Sequence, residues 1–154
     1  MSGNIAIGIQ DFSTIIQGNY FYIDKTPFIK EWWDCGDSAT LITRPRRFGK
    51  TLTMSMVEQF FSIDYAGRSD LFEHLAIWKE EKYRELQGTY PVISLSFARI
   101  KERDYEKTKQ KMCEVLRNIY IKFCYIKDSE KLTDADRAYY ERMLEENIKA
   151  VSYT

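Results

Sequence analysis

The sequence predicts an α/β fold in which helices flank a parallel β-sheet that is incomplete within this chain. Residues 39–43 and 92–97 are short runs of apolar and β-branched residues without charge, which is typical of parallel strands covered on both faces. Each run is followed by a longer segment with apolar residues three to four positions apart, which indicates a helix. This alternation favours a sheet with helices packed against it.

Residues 1–38 are predicted to form a segment that leads into the core. Within it, a glycine–asparagine turn precedes residues 20–23, which are predicted as a short strand. Thr26 followed by Pro27 favours a helix start, with the threonine hydroxyl as N-cap and proline at the first helical position. Gly36 is predicted to end that helix.

Three further helices are predicted. Residues 52–63 carry a stripe of methionine and phenylalanine, which indicates a face packed onto the sheet rather than a cofactor site. Residues 104–127 form the longest amphipathic segment. The last helix begins near Thr133 or Asp134 and runs to about Lys149, and its many charges favour a solvated face over a binding patch.

The stretch between the first apolar run and the helix beginning at Leu52 reads RPRRFGKT over residues 44–51. Strand, tight loop ending in Gly-Lys-Thr, then helix is the context of a phosphate-binding loop, in which backbone N–H groups and the helix dipole hold the anion. Gly49 lets the backbone approach phosphates, Lys50 would reach the β- and γ-phosphates, and the Thr51 hydroxyl would bind Mg²⁺. The predicted nucleotide contacts are Arg44, Pro45, Arg46, Arg47, Phe48, Gly49, Lys50, Thr51 and Leu52.

The loop departs from the general phosphate-binding pattern at one position. That pattern places a glycine five residues before Gly49, where this chain has Arg44. On the pattern alone, two interpretations stay open. In one the loop binds a nucleotide; in the other Gly49 only forms a turn and Lys50 is a solvated residue of the first helical turn.

Several blocks of the chain occur in the order found in one family. They are residues 43–51 (TRPRRFGKT), residues 7–12 (IGIQDF), residues 22–26 (YIDKT), and the shorter blocks at 60–61, 71–72 and 90–93. With them the chain resembles the bacterial AAA-ATPase-like family, in which arginine replaces the first glycine of the loop. The likeness is most specific in the first hundred residues and diffuse beyond them.

The resemblance implies a P-loop NTPase core of the ASCE/AAA-like kind over residues 39–154, with ATP and Mg²⁺ as its ligands. It implies that Lys50 is catalytic and neutralises charge that develops on the transferred phosphate. It also implies a PD-(D/E)xK nuclease-like domain at the C-terminal end of the full-length protein, and contact with nucleic acid only through that domain. The block at residues 22–26 would lie beside the nucleotide. The alternative is that Asp24 and Lys25 are solvated residues at a strand-to-helix corner.

Catalysis by such a loop also requires an acidic residue for Mg²⁺. The run at residues 92–97 does not supply one, because it continues into Ala98 and Arg99. In the family these carboxylates arrive on a later strand, the Walker B strand. The chain is therefore expected to be the N-terminal part of a longer protein, truncated before that strand. ATP hydrolysis coupled to a conformational change is expected of the full-length protein, and whether this chain alone is an enzyme stays open.

The loop arginines Arg44, Arg46 and Arg47 have three interpretations. They could contact phosphate or brace the loop, they could form a nucleic-acid surface, or they could pair with acidic residues across the domain. The 23 basic and 23 acidic residues cancel, and this neutral balance counts against the nucleic-acid surface.

Composition limits the class of protein. At 154 residues, with 44% apolar and 15% aromatic content, the chain is expected to form one folded domain. Its 3 cysteines contain no C-x-x-C pair and it has 1 histidine, which favours a reducing cytoplasm and leaves little for a zinc site. The sequence contains no apolar run long enough to span a membrane, so a cytoplasmic location without membrane contact is predicted.

Two rival functions stay open. A small-molecule or nucleoside kinase would share the loop but would need an acceptor pocket with an acidic base. A nucleotide-sensing or interaction module would bind ATP or a protein partner without catalysis. Product analysis separates them, since a kinase yields a phosphorylated acceptor and an ATPase yields free phosphate.

Overall fold

The computed structural model describes residue 5 and residues 7–149, and the chain divides into two compact units, Met1–Val92 and Ile93–Thr154. The helices of the first unit are α1 (Phe12–Gln17), α2 (Pro27–Cys35), α3 (Lys50–Phe61) and α4 (Glu81–Arg84). Those of the second unit are α5 (Tyr105–Lys122) and α6 (Asp134–Lys149). Short 3₁₀ segments occupy Ile63–Tyr65, Ser69–Leu71, Ala76–Lys79 and Cys124–Asp128.

The predicted α/β fold with a parallel sheet is wrong for the described residues, which contain helices but no strand. The segments at 20–23, 39–43 and 92–97 are extended, yet no backbone hydrogen bond joins any two of them. A strand is defined by hydrogen bonds to a neighbouring strand, so an apolar extended run without such a neighbour is not one. Leu41 and Ile93 accordingly expose 85% and 64% of their surface.

The predicted helices agree better with the structure than the predicted strands do, because the residues that start and end a helix are close in sequence. Pro27 is the first residue of α2, and Gly36 ends it at φ +65°, as predicted. The Thr26 hydroxyl does not cap α2, however; it donates a 2.6 Å hydrogen bond to Asp24 Oδ1. The helix after the loop begins at Lys50 rather than Leu52, and α5 ends at Lys122, five residues before the predicted end at 127.

The core of the first unit is built around α3. Met56 and Phe60 of this helix are fully buried, and the Phe60 ring lies edge-on to Phe61 and Phe72 at 5.1 Å in each case. Phe12 of α1 stacks on Phe72, also at 5.1 Å. The buried residues of this core are Phe12, Ile29, Met56, Phe60, Phe61, Leu71, Phe72, Ile77 and Tyr83. Helices from both sides of the predicted boundary at residue 38 therefore share one core.

The second unit is a pair of packed helices, α5 and α6. The Tyr120 and Tyr140 rings meet at 5.0 Å, and the Tyr140 hydroxyl donates to the Tyr120 carbonyl. Phe123 is the buried apolar residue of this unit among those described, with 6% exposure. Neither unit contains, in its described residues, a helix with the length and apolar character needed to cross a bilayer.

Candidate functional site

The phosphate-binding loop predicted at residues 44–51 is a tight turn that leads directly into α3. Gly49 is the N-cap residue of this 12-residue helix and has φ +74°. Arg47 also has a positive φ, +68°, which is uncommon for a residue with a side chain. At Gly49 an added Cβ would lie 2.7 Å from Lys25 Nζ, so a side chain there would be strained by the left-handed backbone and would require the end of Lys25 to move.

Lys50 folds back over the beginning of the loop. Its ammonium donates to the carbonyl oxygens of Arg44 and Pro45, the second at 3.2 Å. Lys50 is half-buried as a whole, and the hydrogen bonds of its ammonium lie at the surface. Lys50, the predicted catalytic lysine, thus contacts the backbone of the predicted loop.

Lys25 is a second lysine at the same loop, brought there from 23 residues earlier in the chain. Its ammonium donates to the Phe48 carbonyl at 3.4 Å. Lys25 therefore contacts the loop, while it also lies at the corner that leads into α2.

A cavity of about 460 Å³ opens beside the loop. Arg44, Phe48 and Lys50 are the predicted contacts that line it, whereas Gly49 and Thr51 do not. Its other lining residues are Asp24, Lys25, Pro27, Phe28, Glu31, Ile42 and Thr53. One cavity thus combines three cationic side chains and two carboxylates with apolar and aromatic side chains.

Asp24 fixes the segment that carries Lys25. Its Oδ1 accepts hydrogen bonds from the Thr26 backbone N–H and hydroxyl at 2.8 and 2.6 Å, and its Oδ2 accepts from the Ala76 N–H at 2.7 Å. Thr26 is fully buried, and its hydroxyl also accepts from the Ile77 N–H at 3.2 Å. Asp24 is therefore a bracing residue whose two carboxylate oxygens are both engaged.

Tyr22 ties the same segment to α3. The Lys25 backbone N–H donates to the Tyr22 hydroxyl at 3.2 Å, and that hydroxyl donates to Met56 Sδ at 3.3 Å. Burial raises the pKa of Tyr22 to about 12, so the hydroxyl stays protonated and keeps both contacts at neutral pH. The placement of Lys25 relative to the loop helix is set by this link.

The loop concentrates positive charge without acidic partners. In the part of the chain that the structure describes, no carboxylate forms an ion pair with Arg44, Arg46, Arg47, Lys25 or Lys50. The interpretation in which the loop arginines pair with acidic residues across the domain thus finds no support there. Since the chain as a whole is neutral, this loop is a local cationic site on a balanced surface.

Thr51, the predicted Mg²⁺ ligand, is the second residue of α3 and is exposed. Its hydroxyl makes no hydrogen bond to other described residues, and so its oxygen is available to a cation. No three or more His, Cys, Asp or Glu side chains come together as a metal site among the described residues.

Sequence reasoning named the loop but missed most of the wall beside it. Lys25 carried one signal, the YIDKT block, which left its role undecided. Phe28 and Glu31 lie on α2 and carried no signal, because their position in the cavity depends on how α2 packs against α3.

Comparison with known proteins shows the family of the chain. Residues 6–154 match the family described as predicted AAA-ATPase. This chain belongs to that family. The membership covers both units, and it extends beyond residue 100, where the likeness of individual motifs becomes diffuse.

One curated relative is an uncharacterised protein in the vnfD 5′ region of Azotobacter chroococcum mcd 1. It is 33% identical over 113 residues, which is 73% of this chain. The matched part spans 20% of that relative's length, about a fifth. No solved structure matches the chain significantly.

Proposed function

We propose that this chain binds Mg-ATP, with the triphosphate held by the loop at residues 44–51 and the nucleoside in the adjoining cavity. The observation that carries the proposal is the position of Lys50, whose ammonium lies over the loop on the Arg44 and Pro45 carbonyls. Membership of the predicted AAA-ATPase family supports it.

Binding would replace the carbonyl oxygens that now accept hydrogen bonds from Lys50 with phosphate oxygens. Lys50 now donates to neutral carbonyl oxygens, and a phosphate oxygen is a stronger acceptor because it is ionised. The free N–H groups at the start of α3 and the dipole of this helix favour a negative charge in the same place. The cationic loop without acidic partners adds to this preference.

The cavity suits the rest of the nucleotide. Its volume of about 460 Å³ lies within the range of small-molecule sites. Phe28 and Phe48 supply aromatic surface for a base, and Phe48 is 61% exposed, so its ring is accessible to stacking. Glu31 is a polar group of the same wall that could accept a hydrogen bond from a base amino group.

We propose ATP hydrolysis for the longer protein of which this chain would be a part, and not for the chain by itself. A bound Mg²⁺ would neutralise charge on the β- and γ-phosphates, with the Thr51 hydroxyl as its ligand from this chain. Of the cavity carboxylates, Asp24 has both oxygens engaged and Glu31 is exposed. We propose that the remaining catalytic carboxylates, the coupled conformational change and any nuclease-like domain belong to the whole protein, which we place in the cytoplasm.

Calorimetric titration with Mg-ATP tests the proposal. We expect saturable binding by the unmodified chain and its loss in Lys50→Ala. Lys107→Ala is the matched control, because Lys107 also lies in the first turn of a helix, α5, but far along the chain from the loop. Equal affinity in Lys50→Ala and in the unmodified chain would contradict the loop as the binding site, provided circular dichroism shows both proteins folded.

A further inference from the structure

We propose that Lys25 is a second phosphate-binding residue, which contacts the nucleotide's phosphates together with Lys50. This inference rests on the proposed function, since it assigns a residue of the same site. It concerns a position outside the loop, and no motif of the phosphate-binding pattern includes it.

Distances at the loop carry the inference. Lys25 Nζ lies 3.4 Å from the Phe48 carbonyl and 2.7 Å from the point where a Cβ on Gly49 would stand. The Lys25 ammonium therefore occupies the space that the glycine leaves open. A glycine at this position permits the approach of a cation as well as that of a phosphate.

The two lysines hold different ends of the loop. Lys50 donates to the carbonyls of Arg44 and Pro45 at its beginning, and Lys25 donates to the carbonyl of Phe48 near its end. Both side chains line the same cavity. A chain of phosphates that lies along the loop can therefore contact both ammonium groups.

Hydrogen bonds of the neighbouring residues hold the backbone of Lys25 in place. Asp24 and Thr26, on either side of it, are fixed by hydrogen bonds to each other and to the N–H groups of Ala76 and Ile77. Tyr22 links its backbone to Met56 of the loop helix. The backbone of Lys25 is thus held at both sides while its side chain makes a single long contact.

That contact is weak enough to be exchanged. At 3.4 Å the hydrogen bond to the Phe48 carbonyl is longer than usual for an ammonium donor. An ionised phosphate oxygen offers a shorter and stronger bond. Bracing the loop is the alternative role for Lys25, and it predicts a change in stability without a change in the electrostatics of binding.

The test titrates Mg-ATP and inorganic tripolyphosphate into the unmodified chain, Lys25→Gln and Lys25→Arg at low and high salt. We expect Lys25→Gln to weaken binding of both ligands about tenfold or more, and to make the affinity less dependent on salt. Lys25→Arg keeps the charge and is expected to retain the salt dependence. Lys79→Gln, an exposed lysine of the same unit, is the control and should bind as the unmodified chain does.

A second measurement uses no variant and so does not depend on how Lys25→Gln folds. Saturating Mg-ATP should protect Lys25 and Lys50 from an amine-acetylating reagent, read by peptide mass spectrometry, while Lys79 stays reactive. Protection of Lys50 without protection of Lys25 would overturn the inference.

The outcomes separate this inference from the proposed function. If Lys50→Ala loses binding while Lys25→Gln keeps both its affinity and its salt dependence, Lys25 is not a phosphate contact and the loop assignment stands. Equal weakening in Lys25→Gln and Lys25→Arg with an unchanged salt dependence would assign a bracing role and overturn the inference. If the folded, unmodified chain does not bind either ligand, both proposals fail.

Discussion

The first unit is held together by an aromatic core, whereas the second is a pair of helices with little buried surface. In Met1–Val92 rings from α1, α3 and the turns after it meet at about 5 Å, and Phe12, Phe60 and Phe72 are fully buried. In the described part of Ile93–Thr154, the 18-residue helix α5 has no buried residue. Helix length is therefore a poor guide to stability in this chain.

The two units differ in burial because α3 has packing neighbours on more of its sides than α5 has. The α3 helix packs against α1 and the segments that follow it, so that Met56 and Phe60 are enclosed. The α5 helix has α6 as its packed neighbour, and Leu116 on its apolar stripe stays 39% exposed. Apolar burial is the main favourable term in folding, so the first unit should be the more stable.

The largest expected effect is on the aromatic core. Phe60→Ala should lower the free energy of unfolding by about 3–5 kcal/mol, because it removes a fully buried ring and leaves a cavity. Leu116→Ala in α5 is the comparison, with an expected loss below about 1 kcal/mol since that side chain already contacts solvent. Urea denaturation followed by fluorescence and circular dichroism measures both. Similar losses would contradict the contrast between the units.

Unfolding of the unmodified chain should separate the two units. All 3 tryptophans, Trp32, Trp33 and Trp78, lie in the first unit, whereas far-ultraviolet circular dichroism also reports α5 and α6. We expect the dichroism signal to fall first, with a midpoint lower by about 1 M urea than that of tryptophan fluorescence. Coincident transitions would mean that the units unfold together, and the contrast in packing would then have no thermodynamic counterpart.

A smaller effect is expected at the loop, which lies at the surface of the well-packed unit. Gly49→Ala and Gly36→Ala each place a side chain in the left-handed region and should each destabilise by about 1 kcal/mol. Only Gly49→Ala also meets Lys25, whose flexible end can move aside. Mg-ATP affinity should therefore fall in Gly49→Ala and stay unchanged in Gly36→Ala. Equal affinities would show that the close approach of Lys25 to the loop has no role in binding.

The smallest expected effect is a dependence on pH in the first unit. Asp11 caps α1 and also accepts from Gln59 of α3. Although burial acts to raise the pKa of Asp11, hydrogen bonds from Ser13, Thr14 and Gln59 outweigh it and lower that pKa. A lowered pKa in the folded state adds stability above about pH 4 that is lost as the pH falls below it.

Asp11→Asn removes this dependence and keeps a residue that caps helices well. The difference between the two proteins should be at most about 1 kcal/mol, because the carboxylate is only partly covered and water screens it. Tryptophan fluorescence at pH 6 and pH 3 measures it. Asp136→Asn, at the start of α6, should leave this tryptophan transition unchanged, and a shift there would contradict the independence of the units.

Much of the helical structure could be predicted from the sequence because its causes are local. Pro27 and Gly36 mark the ends of α2 within a few residues of the helix itself. Asp104 caps α5 through the Lys107 N–H. The sheet could not be predicted correctly, since a strand requires hydrogen bonds to a segment elsewhere in the chain, and residues 39–43 have none in the described structure.

By itself the sequence determined where most of the helices lie and that a tight turn precedes α3, because these features depend on interactions within a few residues. Tertiary structure alone decided that Lys25 joins Lys50 at that loop, because the Tyr22–Met56 contact brings together positions 34 residues apart. It also decided that two apolar runs stay unpaired. An apolar run predicts that a segment will be buried. It does not show which segment will pair with it through hydrogen bonds or pack against it, because those contacts form only in the folded chain.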